Sequence, residues 1–240
     1  MSWEKRRALI TGASSGIGKA TALAFAKAGI DVALVSRSLD KLEIVAAAAR
    51  DTGVAAKAYP VDLANVSQVK AAIQDIALDF GGIDILVNNA GIAYTANLSE
   101  TPLKDWQQVI NLNLTSVFEC CMAILPGMRQ AKQGMIINVA SIAGKQAFPG
   151  WGAYSVSKAG LLALSQTLAQ EERSHGIRVT AICPGAVNTE LWDTDTVQSD
   201  FDRSKMLTPE IVAQSILYTA LLPQQAVIDE LTLMPSAGAL

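Results

Sequence analysis

The sequence predicts an α/β protein, a doubly wound parallel sheet of about seven strands with helices on both faces, three layers deep (α/β/α). Two observations carry this. Short apolar runs of β type alternate with longer helical patterns from one end to the other, and such alternation gives right-handed β-α-β crossovers. The runs are apolar on both faces, as strands are when helices cover the sheet on each side. No composition shift, linker or fixed-period repeat divides residues 1–240, so one domain is expected.

In order, strands are expected over 8–11, 31–36, 54–60, 83–88, 135–141, 177–183 and 227–234. Helices are expected over 16–29, 39–50, 66–80, 103–130 with a break near Pro126, 154–174 and 209–222. Residues 185–208 resist the pattern: they are polar, with four aspartates among Leu191, Trp192, Phe201 and Met206. A long irregular stretch of this kind reads as a lid. Trp192 and Phe201 either touch substrate or only anchor the lid to the body.

Composition excludes several functions. Half of the 240 residues are hydrophobic and 17% are charged, which rules out a disordered chain. Mean hydropathy is +0.29, yet no membrane span is expected, because Glu119, Pro126 and Gly127 interrupt the best window. The charged stretch 1–7 does not read as a signal peptide. Net charge is −3 and the 19 Lys and Arg are scattered, so nucleic acid is not an expected partner. Cys120, Cys121 and Cys183 give neither a disulfide framework nor metal spacing, which suits a reducing cytoplasm. The one histidine, His175, removes most zinc sites and most Ser-His or Cys-His mechanisms.

After the first strand stands Thr11-Gly12-Ala13-Ser14-Ser15-Gly16-Ile17-Gly18, opening a helix. The glycines let backbone approach a ligand and the helix start offers free N–H groups to a phosphate. This is the Rossmann-type signal, with Gly12, Ser14, Ser15, Gly16, Ile17 and Gly18 as candidate cofactor contacts. The spacing is G-x-x-x-G-x-G rather than the common G-x-G-x-x-G. Three more candidates fall at carboxyl ends of strands, where open α/β sheets bind ligands. Arg37 suits a ribose 2′-phosphate, hence NADP(H) over NAD(H), or is a solvated charge. Asp62, beside Leu63, accepts from an adenine amino group or caps the next helix. Asn88 and Asn89, before Ala90-Gly91, shape a floor under a ribose or close a loop.

Ser141 ends the fifth strand, and Tyr154 and Lys158 lie at i and i+4, on one helix face. An ammonium near a phenol lowers its pKa from about 10, so the tyrosine can exchange a proton near neutral pH. Ser141 can hydrogen-bond a substrate oxygen.

With these motifs in order, together with Pro184-Gly185, the chain resembles the classical short-chain dehydrogenases/reductases over essentially its whole length. The resemblance implies a hydride exchanged between NADP(H) and a carbonyl or alcohol, that is, a ketone or aldehyde reductase. Tyr154 would be the general acid/base and Ser141 would hold the substrate oxygen. Lys158 would lower the tyrosine pKa and bind the nicotinamide ribose. Asn113, rather than its neighbour Asn111, would kink a helix and hold a water of a proton relay. Val187 and Thr189 would contact the carboxamide and pyrophosphate. It also implies a homo-oligomer, tetramer or dimer, consistent with small and apolar residues on several faces of the helices 103–130 and 154–174.

Tyr94, Ile142, Phe148 and Trp151 flank this site in the sequence and point to a substrate with hydrophobic bulk. One alternative is a 3-oxoacyl-(acyl-carrier-protein) reductase, for which Lys132 and His175, with Arg129 and Arg173 nearby, fall near the places of the basic residues that face the acidic carrier at the site entrance; His175 reads also as a loop residue before the sixth strand. The ending 231–238 departs from the glycine-rich tail of many relatives. A non-catalytic nucleotide sensor is the remote alternative, disfavoured because both Tyr154 and Lys158 are present.

Overall fold

The computed structural model describes residues 6–197 and 202–238. Its strands are β1 (Arg7–Thr11), β2 (Asp31–Ser36), β3 (Ala56–Pro60), β4 (Ile85–Asn88), β5 (Gly134–Val139), β6 (Ile177–Pro184) and β7 (Glu230–Leu233). Its longer helices are α1 (Gly16–Lys27), α2 (Leu39–Arg50), α3 (Val66–Asp79), α4 (Leu103–Ile110), α5 (Ser116–Ala131), α6 (Gly152–Glu172) and α7 (Pro209–Leu221). The strands pair in parallel in one sheet, ordered β3-β2-β1-β4-β5-β6-β7. The order reverses between β1 and β4, and such a reversal opens a crevice at the carboxyl ends of the strands.

Alternate strand residues face opposite layers. Ala8, Ile10, Leu34 and Val87 join α1, α2 and α7 in one core. Leu9, Val35, Leu86 and Ile136 join α3, α5 and α6 in the other. Burial of this aliphatic surface, at about 25 cal/mol per Å², is the main favourable term.

Expected and observed element ends agree within two residues except at the start of the last strand. Helix α1 stops at Lys27 because Gly29 takes φ of 80°, a left-handed conformation that turns the chain into β2. Strand β7 begins at Glu230 rather than 227. The residues ahead of it are a loop that Arg178 gathers by donating to the carbonyls of Leu222, Pro223 and Ala226.

The long helical run does not break near Pro126, which lies inside α5. The interruption is a π-helical turn, Asn111–Thr115, where the buried Asn113 side chain is drawn inward by its hydrogen bonds. Proline deletes one backbone bond of α5, while Cys121, Ile124, Leu125 and Met128 keep the helix packed on the sheet. Glu119 and Pro126 therefore do not divide the run as expected. Leu103–Ala131 is, among the described residues, the one helical stretch with the length and apolarity of a membrane span, and half of its most apolar window is packed inside the protein.

Candidate active site

The carboxyl edge of the sheet carries a cleft of about 690 Å³. Its floor is the turn between β1 and α1. Gly12 has φ of 65°, and a Cβ there would lie 2.8 Å from Asn89 Nδ2 and 2.9 Å from Ala90 Cα. A Cβ on Gly18 would meet the Gly12 carbonyl at 2.2 Å. Side chains are thus shut out at Gly12 and Gly18, and α1 begins close against the turn. Ser15 is the N-cap residue, but its side chain makes no capping bond, and the first turn of α1 carries no acid. Ser14, Ser15, Gly16 and Ile17 all line the cleft, and the helix start offers N–H groups and positive potential there.

Beyond β2, Ser36, Arg37, Ser38 and Lys41 line the same cleft, and the buried Ser36 hydroxyl has no protein partner. Arg37 is exposed. Lys41 escaped the sequence reading, although its i+4 spacing from Arg37 at the start of a helix was the available signal. Asp62 and Leu63 also line the cleft. Asp62 does not cap α3: its Oδ1 accepts from the Ala64 N–H at 3.0 Å, and the N-cap residue is Asn65.

The two asparagines after β4 part company. Asn88 turns into the core and donates to Asn138 Oδ1 at 2.9 Å, so it forms no floor for a ligand. Asn89 faces the cleft and donates to the carbonyls of Thr11 at 3.0 Å and Gly12 at 3.3 Å. Thr11 completes the tie: its buried hydroxyl accepts from the N–H groups of Asn89 and Ala90, both at 3.0 Å. Nothing in its sequence position separated this role from that of any strand-end threonine.

Tyr154 lies in the first turn of α6 and Ser141 at the start of a short 3₁₀ turn, Ile142–Gly144, just beyond β5. The Ser141 hydroxyl accepts from the Ala143 N–H at 3.1 Å and also faces the Tyr154 phenol as a hydrogen-bond partner. Burial pushes the phenol pKa up, and Ser141 pulls it back. Here the sequence expectation needs correction. Lys158 lies 5.7 Å from the centroid of the Tyr154 ring, and its Nζ donates to the Val139 carbonyl at 2.8 Å. The hydrogen bond to the phenol comes from Ser141, while the lysine lies over the ring and bonds backbone. Burial lowers the Lys158 pKa itself, to about 8.

Asn113 sits against this group. Its Nδ2 donates to the Ile92 carbonyl at 2.8 Å and to Ser157 Oγ at 3.0 Å, and its Oδ1 accepts from the Ile92 N–H at 2.9 Å. Ser157 donates in turn to the Tyr154 carbonyl at 2.7 Å. The π turn, the loop after β4 and the start of α6 are locked together by side-chain amide and hydroxyl bonds. Ser157 was legible only as an unassigned letter between Tyr154 and Lys158.

The segment after β6 closes the far side. Val187 and Thr189 line the cleft, and Thr189 Cγ2 would lie 3.2 Å from a Cβ on Gly16, so it stands over the glycine turn. Arg203 braces this stretch by donating to Asn188 Oδ1 at 2.8 Å and to the Thr189 carbonyl at 2.9 Å, and it pairs with Asp193. Ile142, Phe148, Trp151 and Trp192 line the cleft near Tyr154. Tyr94 does not: its phenol bonds Asp105 on α4. Phe201 lies outside the described residues.

Arg129, Lys132, Arg173 and His175 are not at the entrance of this chain's cleft. They lie at the ends of α5 and α6, where β5 and β6 begin, the opposite edge of the sheet from Tyr154. The charge of Arg129 is spent on the buried Glu172, to which its Nε donates at 2.8 Å. Among the described residues no group of three or more His, Cys, Asp or Glu is placed to hold a metal.

A dinucleotide fits this cleft on three counts. Gly12 and Gly18 let the turn pack tightly so that Gly16 and the helix start line the cleft, the helix start is uncapped, and the buried Ser36 hydroxyl beside Arg37 and Lys41 lacks a partner. Tyr154 and Ser141 stand together at the other end of the cleft, where a proton can be given to a substrate oxygen.

The family model described as short chain dehydrogenase matches residues 6–199. A 3-oxoacyl-(acyl-carrier-protein) reductase from Synechocystis sp. is 38% identical over 235 residues, covering 96% of this chain and 95% of the relative. A protein of the same name from Thermotoga maritima is 36% identical, covering 92% of each. The alcohol dehydrogenase from the archaeon Thermococcus sibiricus, complexed with 5-hydroxy-NADP, superposes with a TM-score of 0.88 at 29% identity, covering 97% of each chain. A metagenomic short-chain oxidoreductase in complex with NADP gives 0.84 at 30% identity, covering 96% of this chain and 97% of the other.

Proposed function

We propose that this chain, which belongs to the short-chain dehydrogenase/reductase family and is an oxidoreductase acting on CH–OH groups, works with NADP(H) as a ketone or aldehyde reductase. The observation that carries the reading is the pairing of a tight glycine turn and an uncapped helix start with Tyr154 and Ser141 in one cleft. Bound NADPH supplies the hydride. Gly12, Ser14, Ser15, Gly16, Ile17 and Gly18 would cradle the pyrophosphate, with Thr189 above them. Arg37 and Lys41 would hold the 2′-phosphate, Asp62 and Leu63 the adenine, and Asn89 and Val187 the ribose and carboxamide side.

Ser141 orients the substrate carbonyl oxygen and Tyr154 donates its proton to that oxygen. A phenol pKa raised by burial keeps the proton in place at neutral pH until the oxygen becomes basic. Lys158, cationic below about pH 8, would hold the ribose hydroxyls. Asn113 holds the Ile92 backbone and Ser157, and through them the start of α6.

The described residues form one nucleotide-binding domain in this reading, with 185–197 and 202–208 in its lid; the rest of the expected lid, 198–201, lies outside the described residues. Leu103, Phe118 and Val156 on α4, α5 and α6 are 73%, 42% and 45% exposed, which supports a homo-oligomer through these helices. Three buried free cysteines suit a reducing, cytoplasmic setting.

The test is to mix the protein with NADPH, and separately NADH, and a panel of aldehydes and ketones, and to follow loss of reduced cofactor. Turnover with NADPH is expected. Tight NADPH binding with no turnover of any carbonyl would overturn the reading in favour of a nucleotide sensor. The names of the two relatives favour a second reading, 3-oxoacyl thioesters on a carrier protein. Arg129 speaks against it, since its charge is already neutralised by Glu172. A large gain in kcat/KM for the carrier-bound thioester over the free one would establish it.

A further inference from the structure

The substrate end of the cleft is built differently from the nucleotide end. On the side of β1, β2 and β3 its lining includes the charged Arg37, Lys41 and Asp62. On the side of β4, β5 and β6 the lining residues of charged type, among those described, are Lys158 and Glu190, and Glu190 also lines a recess beside Lys19 on the outer flank of the glycine turn. The same cleft is lined by the apolar Ile142, Phe148, Trp151 and Trp192.

Trp151 immediately precedes α6 and meets the Tyr154 ring in an edge-to-face contact, centroids 5.6 Å apart at 68°. It meets Trp192 in the same manner, at 5.7 Å and 65°. Tyr154, Trp151 and Trp192 thus form a continuous aromatic row. The backbone behind it is tied down: Ala96 donates to the Gly150 carbonyl at 2.8 Å and Thr95 to the Thr196 carbonyl at 2.9 Å. Trp192 serves two surfaces. Its ring ends the row, and its indole N–H donates to the Val187 carbonyl at 2.7 Å. Val187 and Thr189 belong to the segment that stands over the glycine turn.

We propose that Trp151 and Trp192 select as substrate an uncharged carbonyl compound carrying a flat aromatic group beside the C=O, and that Trp192 couples this wall to the nucleotide-facing segment. The proposal rests on the reading of the chain as a carbonyl reductase. Aromatic groups gain from edge-to-face and offset contacts beyond their buried area. A carboxylate or ammonium on the substituent would lose its water without finding a partner at this wall. The sequence alone left Trp192 divided between anchoring the lid and meeting substrate; the geometry has it do both.

The test measures kcat/KM with NADPH for acetophenone and for butanone, and NADPH affinity by calorimetry, in the wild type and in Trp151→Ala, Trp151→Phe and Trp192→Phe. The wild type prefers acetophenone. Trp151→Ala lowers that preference about tenfold and leaves NADPH affinity unchanged, whereas Trp151→Phe, which keeps a ring and guards against misfolding of the alanine variant, retains most of it. Trp192→Phe keeps the preference but raises the NADPH Kd severalfold, as the bond to Val187 is lost. An unchanged preference in Trp151→Ala, or an unmoved NADPH Kd in Trp192→Phe, overturns the proposal. If the wild type reduces butanone as readily as acetophenone, the carbonyl-reductase reading stands and the aromatic selection alone falls. If it reduces neither although NADPH binds, the reading itself fails and the substrate assignment falls with it.

Discussion

Lys158 stands 5.7 Å from the centroid of the Tyr154 ring and gives its hydrogen bond to the Val139 carbonyl at 2.8 Å. The ammonium is therefore stationed at the end of β5, buried, with its pKa lowered to about 8. In the unfolded chain it keeps a value of about 10.4. Between these two values the unfolded state binds more protons than the native one, so this group makes stability rise with pH across that window. Below pH 8 both states are charged and the burial cost is constant. Lys158→Met removes the titration. Denaturation at pH 7 and pH 10 is expected to show the wild type gaining on the order of 3 kcal/mol on the variant. A difference independent of pH would mean that the lysine titrates normally.

Tyr154→Phe keeps the ring, and with it the contact to Trp151, but removes the proton that reduction needs. A fall in kcat of about 10²- to 10⁴-fold is expected, with NADPH affinity largely retained because the glycine turn is untouched. Single-turnover oxidation of NADPH with a ketone reads this directly. Activity near the wild-type level would transfer the acid role elsewhere.

Arg37→Asp places a carboxylate where a 2′-phosphate would sit, beside the unpartnered Ser36 hydroxyl and Lys41. Charge-assisted bonds of this kind are worth about 1.5–3 kcal/mol, so the NADPH/NADH ratio of kcat/KM is expected to drop roughly 10- to 100-fold. Steady-state kinetics with both cofactors decide it. An unchanged ratio would remove Arg37 from the phosphate site.

Residues whose chemistry requires their type at a fixed spacing were legible in advance. Gly12, Gly16, Ser141, Tyr154 and Lys158 converge on one cleft, as the strand-end rule for open sheets anticipates. Interactions that depend on which way a side chain turns were not. Asn88 and Asn89 are identical neighbours, yet one enters the core and the other the cleft, because successive residues at a strand end face opposite sides. The i, i+4 spacing sets the helix face but not the reach of Lys158, whose Nζ donates to a backbone carbonyl. Arg129 and Lys132 were placed at the site entrance although residues preceding a strand lie at the sheet edge opposite those following it.

Glu172 is wholly buried at the end of α6, and Arg129 from α5 holds it with Nε at 2.8 Å and with a second guanidinium contact. This keeps its carboxyl below the usual carboxylate range. A depressed carboxyl contributes stability above its unfolded pKa of about 4.3, and that contribution is lost as pH falls through the lower native value. Arg129→Met leaves a buried carboxylate without its partner, at a cost of about 1–3 kcal/mol at pH 7. In the variant, burial outweighs the smaller opposing pull of His175 and raises the Glu172 pKa, so the pH dependence inverts: the deficit narrows on acidification as the carboxyl takes up a proton. Glu172→Gln in the same background recovers most of the loss at pH 7, because no charge is then buried. Urea denaturation of the three proteins at pH 7 and pH 4 tests this. A deficit in Arg129→Met that stays the same at both pH values would mean that the arginine stabilises by packing and not by holding the charge.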